Sequence, residues 1–418
     1  MDRFYITGGN FLEGKVKIKG AKNAILPIIA CCIMIKSQVT LYDCPRLADI
    51  ESMLKIIRAG GGKAKFEGDC LTINCKDFTP FRIDSEYTSV LRASLFLIGP
   101  MLSAFKTASV SYPGGCEIGL RPIDLHVSGL KSLSVNVDVS NGTLDFDGSN
   151  MKNADVFLDF PSVGATENII MASVLTSGKT RIYNCAKEPE VCDLANFINV
   201  MGGKVYGAGT DVITVEGVEK LKGGRYFPIK DRIVTGTYLI AGALMGKEVV
   251  LEQTDPRYLL PLIEKLSASG SVIKTENRRI MVKRGVVKRA IKRTETQPYP
   301  GFPTDLQPQF TVYLSLCRGS SVLVENLFEN RINYTSQLQK MNADITVKDR
   351  VCIVKGVKKL TPAQVEAKDL RGGAALILAS LCAEGNSEVL SAYHVDRGYE
   401  SIETDLQGLG AKIKRLKN

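Results

Sequence analysis

The sequence predicts an α/β protein of two lobes, each assembled from three repeats of about 70 residues, with buried helices inside and sheets outside. Three observations carry that expectation. A helix-like stretch running through a small-residue turn into a strand recurs six times, a second strand recurs ahead of each, and an almost wholly apolar segment opens every unit. A repeat of this kind decides the architecture, because each copy is one supersecondary unit that must bury its apolar face against its neighbours.

The turn and strand read RAGGGKA, SLSVNV, VMGGKV, SASGSVI, KMNADI and GLGAKI, which places one strand residue at Ala64, Val137, Val205, Ile273, Ile345 and Ile413, 68 to 73 residues apart. The second strand reads VTLYDCP, SVSYPGGC, TRIYNCAKEPE, EVVLEQTDP, SVLVENLFENR and EVLSAYHVDRGYE. The opening segments are GAKNAILPIIACCIM, TSVLRASLFLIGPML, SVGATENIIMASVL, KDRIVTGTYLIAGALM, PTDLQPQFTVYLSL and KDLRGGAALILASL. They are apolar nearly all round, the pattern of a helix buried on every side, whereas Asp49 to Arg58 and Glu400 to Leu409 are amphipathic and predict outer helices. Six units exceed what one core holds, so they divide three and three near Tyr226 to Lys230. Residues 21–229 form the first lobe, and 230–418 form the second, completed by the N-terminal segment 1–20.

Composition narrows the function. With 44% apolar and 23% charged residues, the chain is globular rather than disordered, collagenous or coiled-coil. Its longest apolar run, Ala24 to Ile35, contains Pro27 and is shorter than the roughly 18 residues a membrane span needs, so no membrane insertion is expected. The run also starts too far behind Asp2 and Arg3 to be a secretory signal. Eleven cysteines, an odd number set mostly in apolar stretches, fit a reducing, cytoplasmic setting. No C-x-x-C pair exists and there are only two histidines, His126 and His394, so no metal site is expected and His-based triads fall away. Neither a P-loop nor a G-x-G-x-x-G motif is present, and no cofactor is expected; GGGK at 60–63 and GGK at 202–204 are repeat turns. The net charge of +10 admits nucleic acid or acidic small molecules as partners. The one dense cluster, Arg278 to Arg293, reads as a solvated hairpin and helix edge.

In such a repeat the chemistry falls at the turn entering each buried helix and at the loop leaving the next strand, because helix N-termini present unpaired N–H groups that favour anions. The turns carry Lys22 and Asn23, Arg92, Ser162 to Gly164, Asp231 and Arg232, Asp305, and Asp369 with Arg371. The loops carry Cys116 with Arg121, Glu188 and Glu190, Asp255, Glu329 with Arg331, and Asp396 with Arg397. Glu188, Glu190, Asp231, Arg232 and Glu329 are read as structural ion-pair partners. The segment Gly114 to His126 is longer and richer in glycine than its counterparts, and reads as a mobile surface loop. It exposes the Cys116 thiol beside a guanidinium, which can make a thiol chemically useful. His126 is read as a structural loop residue.

With these residues in place the whole chain resembles the UDP-N-acetylglucosamine 1-carboxyvinyltransferase (MurA) family of enolpyruvyl transferases. The matching segments are GAKNA at 20–24, LRAS at 91–94, PGGCEIGLRPIDLH at 113–126, SVGATEN at 162–168, EPE at 188–190, FPTDLQPQF at 302–310, FENR at 328–331, DLR at 369–371 and DRGYE at 396–400. Any one of these is weak, and nine in order over a six-fold repeat are specific. The resemblance implies a two-lobed, inside-out α/β barrel fold and transfer of the enolpyruvyl group of phosphoenolpyruvate to the 3-hydroxyl of UDP-N-acetylglucosamine. That reaction is an addition and elimination through a tetrahedral ketal, and it opens peptidoglycan synthesis.

The resemblance further implies that Cys116 is the acid, able to hold phosphoenolpyruvate covalently and to be alkylated by fosfomycin, and that Asp305 is the base. Lys22, Arg121 and Arg397 would surround the phosphate, and Arg371 with Arg397 the carboxylate. Asn23, Arg92, Arg121, Pro122, Ile123, Asp124, Leu125, Ser162, Val163, Gly164 and Leu327 would contact the UDP-sugar, with Arg331 and Asp369 completing the binding set. These positions come from both lobes, so closure of the lobes and of the Cys116 loop is expected to exclude water. Some family members carry Lys before the SVG motif where this chain has Phe160 and Pro161, and Val234 stands where Glu is common. Two other readings stay open: the sister transferase acting on shikimate 3-phosphate, and a basic binding protein without activity.

Overall fold

The computed structural model describes residues 2–88, 92–112, 123–140 and 142–417, with Arg92 described in its backbone alone. The chain divides into two compact units. One comprises residues 20–112 and 123–229, the other residues 2–19 and 230–417.

Among the described residues there are six four-stranded sheets with one recurrent order: an edge strand parallel to the second strand, then two antiparallel neighbours. In the unit around 20–229 the sheets run Gly224–Tyr226, Val39–Leu41, Cys70–Asn74, Lys63–Glu67; then Arg82–Ile83, Thr107–Ser111, Thr143–Asp147, Asn136–Ser140; then Asp155–Phe157, Lys179–Tyr183, Val212–Glu216, Lys204–Tyr206. In the other unit they run Leu12–Lys17, Gly246–Glu252, Arg279–Lys283, Val272–Glu276; then Arg293–Glu295, Ser320–Val324, Val351–Lys355, Asp344–Lys348; then Gln364–Glu366, Gly385–Leu390, Arg3–Gly8, Lys412–Leu416. The N-terminal residues therefore supply two strands to this second unit. Leu12–Lys17 lies on an edge, while Arg3–Gly8 pairs on both sides, Ile6 opposite Ser387 and Ile413. The terminal ion pair of Asp2 with Arg415 closes the same sheet.

Each unit also holds inner helices whose residues are buried almost without exception. These include Lys22–Cys31, Val163–Ser173, Arg232–Met245, Gln307–Ser315 and Leu370–Cys382. A segment with no polar stripe has no face to give to solvent, so it packs inside while the half-polar helices Ala48–Ala59 and Pro189–Val200 cover it. The apolar core of each unit is its own: one is built from residues between Ile25 and Leu221, the other from Phe4 to Ile18 and Ile233 to Ile413. Outer helices end on a left-handed residue at 61, 134, 202, 270, 342 and 410, with φ between +63° and +111°. Glycine fills four of these positions, and Ser134 and Asn342 fill the others.

The structure departs from the sequence expectations in three places. The second opening segment is a 3-10 helix, Arg92–Leu97, leading into a short α-helix, Ile98–Phe105, in place of one continuous helix. The basic cluster at 278–293 contains a strand, a loop and the start of another strand but no helix, because Gly285 and the extended VVKRAIK stretch favour irregular backbone. His126 lies on a helix, Asp124–Ser132, rather than in a loop. No helix among the described residues is long and apolar enough to cross a membrane.

Candidate active site

Asp305 sits in the 3-10 turn Thr304–Leu306 that feeds the buried helix Gln307–Ser315. Its carboxylate is gripped from two sides. Oδ1 accepts a 2.6 Å hydrogen bond from Arg331 Nη2, and Oδ2 accepts from Arg371 Nε at 3.1 Å and Nη2 at 2.8 Å. The guanidinium side chains are 3% and 4% exposed and the carboxylate 23%, so the carboxylate is the member of the trio that solvent or a ligand can reach. Arg371 Nη1 and Arg331 Nε are buried and without a hydrogen-bond partner among the described residues. A buried guanidinium N–H with no acceptor is costly, and an anion would satisfy it. Burial alone would lower the Arg371 pKa, but the charges of Asp305, Tyr399 and Asp231 outweigh it and hold that guanidinium above its ordinary value.

Asp369 stands beside this trio as the N-cap of Leu370–Cys382, its Oδ1 accepting from the backbone N–H of Arg371 at 2.9 Å and Gly372 at 3.0 Å. It thereby fixes the first turn that carries Arg371. Arg397 ends the 3-10 helix Ala392–Arg397 and is half-buried. The next residue, Gly398, lies so close that a Cβ there would come 3.4 Å from Arg371 Nη1, so the Arg397 segment abuts Arg371. Leu327 donates its backbone N–H to Glu325 at 2.9 Å. Asp231 caps Arg232–Met245 by accepting from Ile233 and Val234 N–H at 2.8 and 2.9 Å, while Arg232 packs its guanidinium over the Tyr299 ring. Glu329 lies 3.8 Å from Arg350.

In the unit around 20–229, Lys22 opens the helix Lys22–Cys31, and its Nζ lies 2.7 Å from Asp49 Oδ2 in a buried pair. Ala21 precedes that helix without a side-chain cap, and Asn23 is half-buried at its first turn. Ser162 caps Val163–Ser173, its Oγ accepting from Ala165 N–H at 3.4 Å, with Val163 and Gly164 half-exposed. The His126 ring covers Gly164, where a Cβ would meet Cε1 and Nε2 at 3.1 Å. His126 Nδ1 is 3.0 Å from Asn168 Nδ2, and Asn168 also donates to Leu95 O and accepts from Gly99 N. Ile123 is buried, and Asp124 and Leu125 begin the helix that carries His126. Glu190 is 3% exposed. Cys116, Arg121, Pro122 and the side chain of Arg92 lie outside the described residues.

The family model described as EPSP synthase (3-phosphoshikimate 1-carboxyvinyltransferase) matches residues 6–406. A protein of Caldanaerobacter subterraneus named UDP-N-acetylglucosamine 1-carboxyvinyltransferase 2 is 46% identical over 416 residues, covering 100% of both chains. One of the same name from Carboxydothermus hydrogenoformans is 44% identical over 417 residues, again covering 100% of both. The chain belongs to the UDP-N-acetylglucosamine 1-carboxyvinyltransferase family. Solved structures show how widely the fold is shared. The enolpyruvyl transferase NikO from Streptomyces tendae superposes with a TM-score of 0.89 at 21% identity over 100% of this chain and 99% of its own. An EPSP synthase from Acinetobacter baumannii superposes with a TM-score of 0.76 at 18% identity over 100% of both chains.

Two acidic residues that hold family motifs in place have no motif of their own. Asp49, the partner of Lys22, is 4% exposed, and Glu325, which anchors the FENR loop, is fully buried. The only signal in the sequence was a carboxylate at the entrance of an amphipathic helix in one case and at the end of an apolar strand in the other. Neither position distinguishes a buried acid from a solvated one.

Proposed function

We infer that this chain transfers the enolpyruvyl group of phosphoenolpyruvate to the 3-hydroxyl of UDP-N-acetylglucosamine and releases phosphate, the first committed step of peptidoglycan synthesis, in the cytoplasm. The observation that carries this reading is Asp305: a reachable carboxylate between two buried guanidiniums, each with an N–H that has no partner among the described residues, in a chain 46% identical along its whole length to a protein of that name.

The chemistry divides among the residues as follows. Cys116 delivers a proton to the methylene carbon of phosphoenolpyruvate, and the sugar hydroxyl attacks the electrophilic carbon while Asp305 takes its proton. Arg371, already spending Nε and Nη2 on Asp305, has Nη1 left for the donor carboxylate, which Arg397 shares. Lys22, Arg121 and Arg397 hold the phosphate, whose charge grows as the ketal collapses: the carbon–oxygen bond to phosphate breaks, and the methyl carbon gives up a proton so that the double bond reforms. Asn23, Arg92, Arg121 to Leu125, Ser162 to Gly164 and Leu327 hold the nucleotide sugar, with Arg331 and Asp369 setting the orientation of Asp305 and Arg371.

The test is release of inorganic phosphate from phosphoenolpyruvate in the presence of UDP-N-acetylglucosamine, with shikimate 3-phosphate run in parallel. Turnover with the nucleotide sugar alone is expected. Turnover with shikimate 3-phosphate alone would move the chain to the sister reaction, and none with either would leave a binding protein. Cys116→Ala is expected to abolish turnover. Cys116→Asp should retain it, since a carboxyl also delivers a proton, yet resist alkylation by fosfomycin.

A further inference from the structure

We propose that Glu325 is a positioning residue, one buried carboxylate that sets both the turn carrying Asp305 and the loop carrying Leu327 and Arg331. Glu325 is fully buried at the end of the strand Ser320–Val324. Its two oxygens receive four donors. Oε1 accepts from Thr296 Oγ1 at 2.9 Å and from the backbone N–H of Leu327 at 2.9 Å and Phe328 at 3.2 Å. Oε2 accepts from Thr304 Oγ1 at 3.0 Å.

The chain positions of these donors give the arrangement its consequence. Thr304 precedes Asp305 in the same 3-10 turn, so a bond to its hydroxyl restrains the backbone that aims the carboxylate. Leu327 and Phe328 open the loop that carries Arg331, which grips Asp305 from the other side at 2.6 Å. The remaining donor, Thr296, is also fully buried, and its hydroxyl accepts from Asn326 N–H at 2.9 Å, which ties the start of the loop to the segment following the strand Arg293–Glu295. Acceptor capacity aimed at both segments from a single rigid strand end is how a supporting shell keeps a reacting group within tenths of an ångström. A carboxylate buried among four donors is hard to replace, because any apolar residue would strand those donors.

The proposal rests on the reading of Asp305 as the base, and the experiment separates the two. Thr304→Val removes one hydroxyl donor at constant shape. It is expected to lower kcat about tenfold or more, as misplacement of a reacting group does, with KM for phosphoenolpyruvate within about twofold. Thr304→Ser restores the hydroxyl and is expected to restore kcat. In an Asp305→Asn background, Thr304→Val is expected to do nothing further, since its effect passes through Asp305. Glu325→Gln, in addition to lowering kcat, should raise KM for UDP-N-acetylglucosamine, because the Leu327 end of the loop loosens too; if Thr304→Val does not fold, Thr304→Ala is measured in its place. Wild-type kcat in a folded Thr304→Val protein, a Ser variant as slow as the Val one, or full additivity with Asp305→Asn would each overturn the positioning role. Loss of turnover in the unmodified enzyme would instead remove the reading of the reaction.

Discussion

At the scale of single residues the site is a matter of which charges are buried and what answers them. Asp305 answers two guanidiniums, so replacing it by Asn keeps an acceptor but removes the charge. A fall in kcat of about 10²- to 10⁴-fold is expected, the range for loss of a general base, with smaller changes in KM, measured by steady-state phosphate release. Elsewhere burial is answered by protonation. Glu167 is fully buried with both oxygens unpartnered among the described residues. Burial first, then the charges of Glu190 and Glu188, raise its pKa well above the ordinary carboxyl value. Asp193 is pushed up to about 6 by burial, against the lowering effect of hydrogen bonds from Tyr226 and Ile229. Both groups bind protons more tightly folded than unfolded, so the stability they lend is full below about pH 4 and is lost as pH rises through their folded values. Glu167→Gln replaces a carboxyl whose ionised form burial disfavours with an amide that cannot ionise. It is expected to raise the melting temperature at pH 8 by a few degrees, about what 1 kcal/mol does in a domain of this size, and to change it less at pH 5. An equal shift at both pH values would count against a buried protonated acid. These acids were illegible in the sequence, as were Asp49 and Glu325, because each depends in part on a donor or charge from a segment 20 or more residues away: Lys22 for Asp49, Glu188 and Glu190 for Glu167, Tyr226 for Asp193, and Thr296 and Thr304 for Glu325.

At the scale of elements, local pattern and structure agree where local physics decides. The left-handed residues closing the outer helices fall at the small-residue turns that mark the repeat, since only glycine, or a short polar residue at some cost, takes that conformation. Ser134, at φ +63°, is the costly case. Ser134→Gly is therefore expected to stabilise the protein by about 0.5–1 kcal/mol, read from chemical denaturation; a destabilisation would mean that the side chain contributes more than its strain. The buried helices were legible for a similar reason, as a segment without a polar face cannot lie at a surface. The 3-10 helix Arg92–Leu97 was not, because its apolar pattern is the same as that of an α-helix and its geometry depends on what it packs against. The buried Asn168, stitching Leu95, Gly99 and His126 together, is part of that packing.

At the scale of the molecule, the six sheets among the described residues share one strand order, while the family motifs are short and scattered over nearly 400 residues. The motif positions were readable; which side chains touch was not, since Arg331 and Arg371 meet Asp305 across 26 and 66 residues of chain. The two cores are separate, so a lesion in one is expected to spare the other. Ile6→Asp places an unpaired charge at a fully buried position with strands on both sides, at a penalty of about 3 kcal/mol or more. Hydrogen exchange should then lose protection across 230–417 while 20–112 and 123–229 keep theirs, and uniform loss would show the two units to be a single cooperative one.

The strands Arg3–Gly8 and Leu12–Lys17 carry a temporal consequence. During translation they leave the ribosome ahead of the strands they pair with: Leu12–Lys17 must wait for Gly246–Glu252, and Arg3–Gly8 for Gly385–Leu390 and Lys412–Leu416. The intervening unit contains all the strands of its own three sheets and can close while synthesis continues. The two strands are thus made early and placed late, and through the synthesis of the intervening unit they are unpaired strands that the cell must keep from pairing elsewhere.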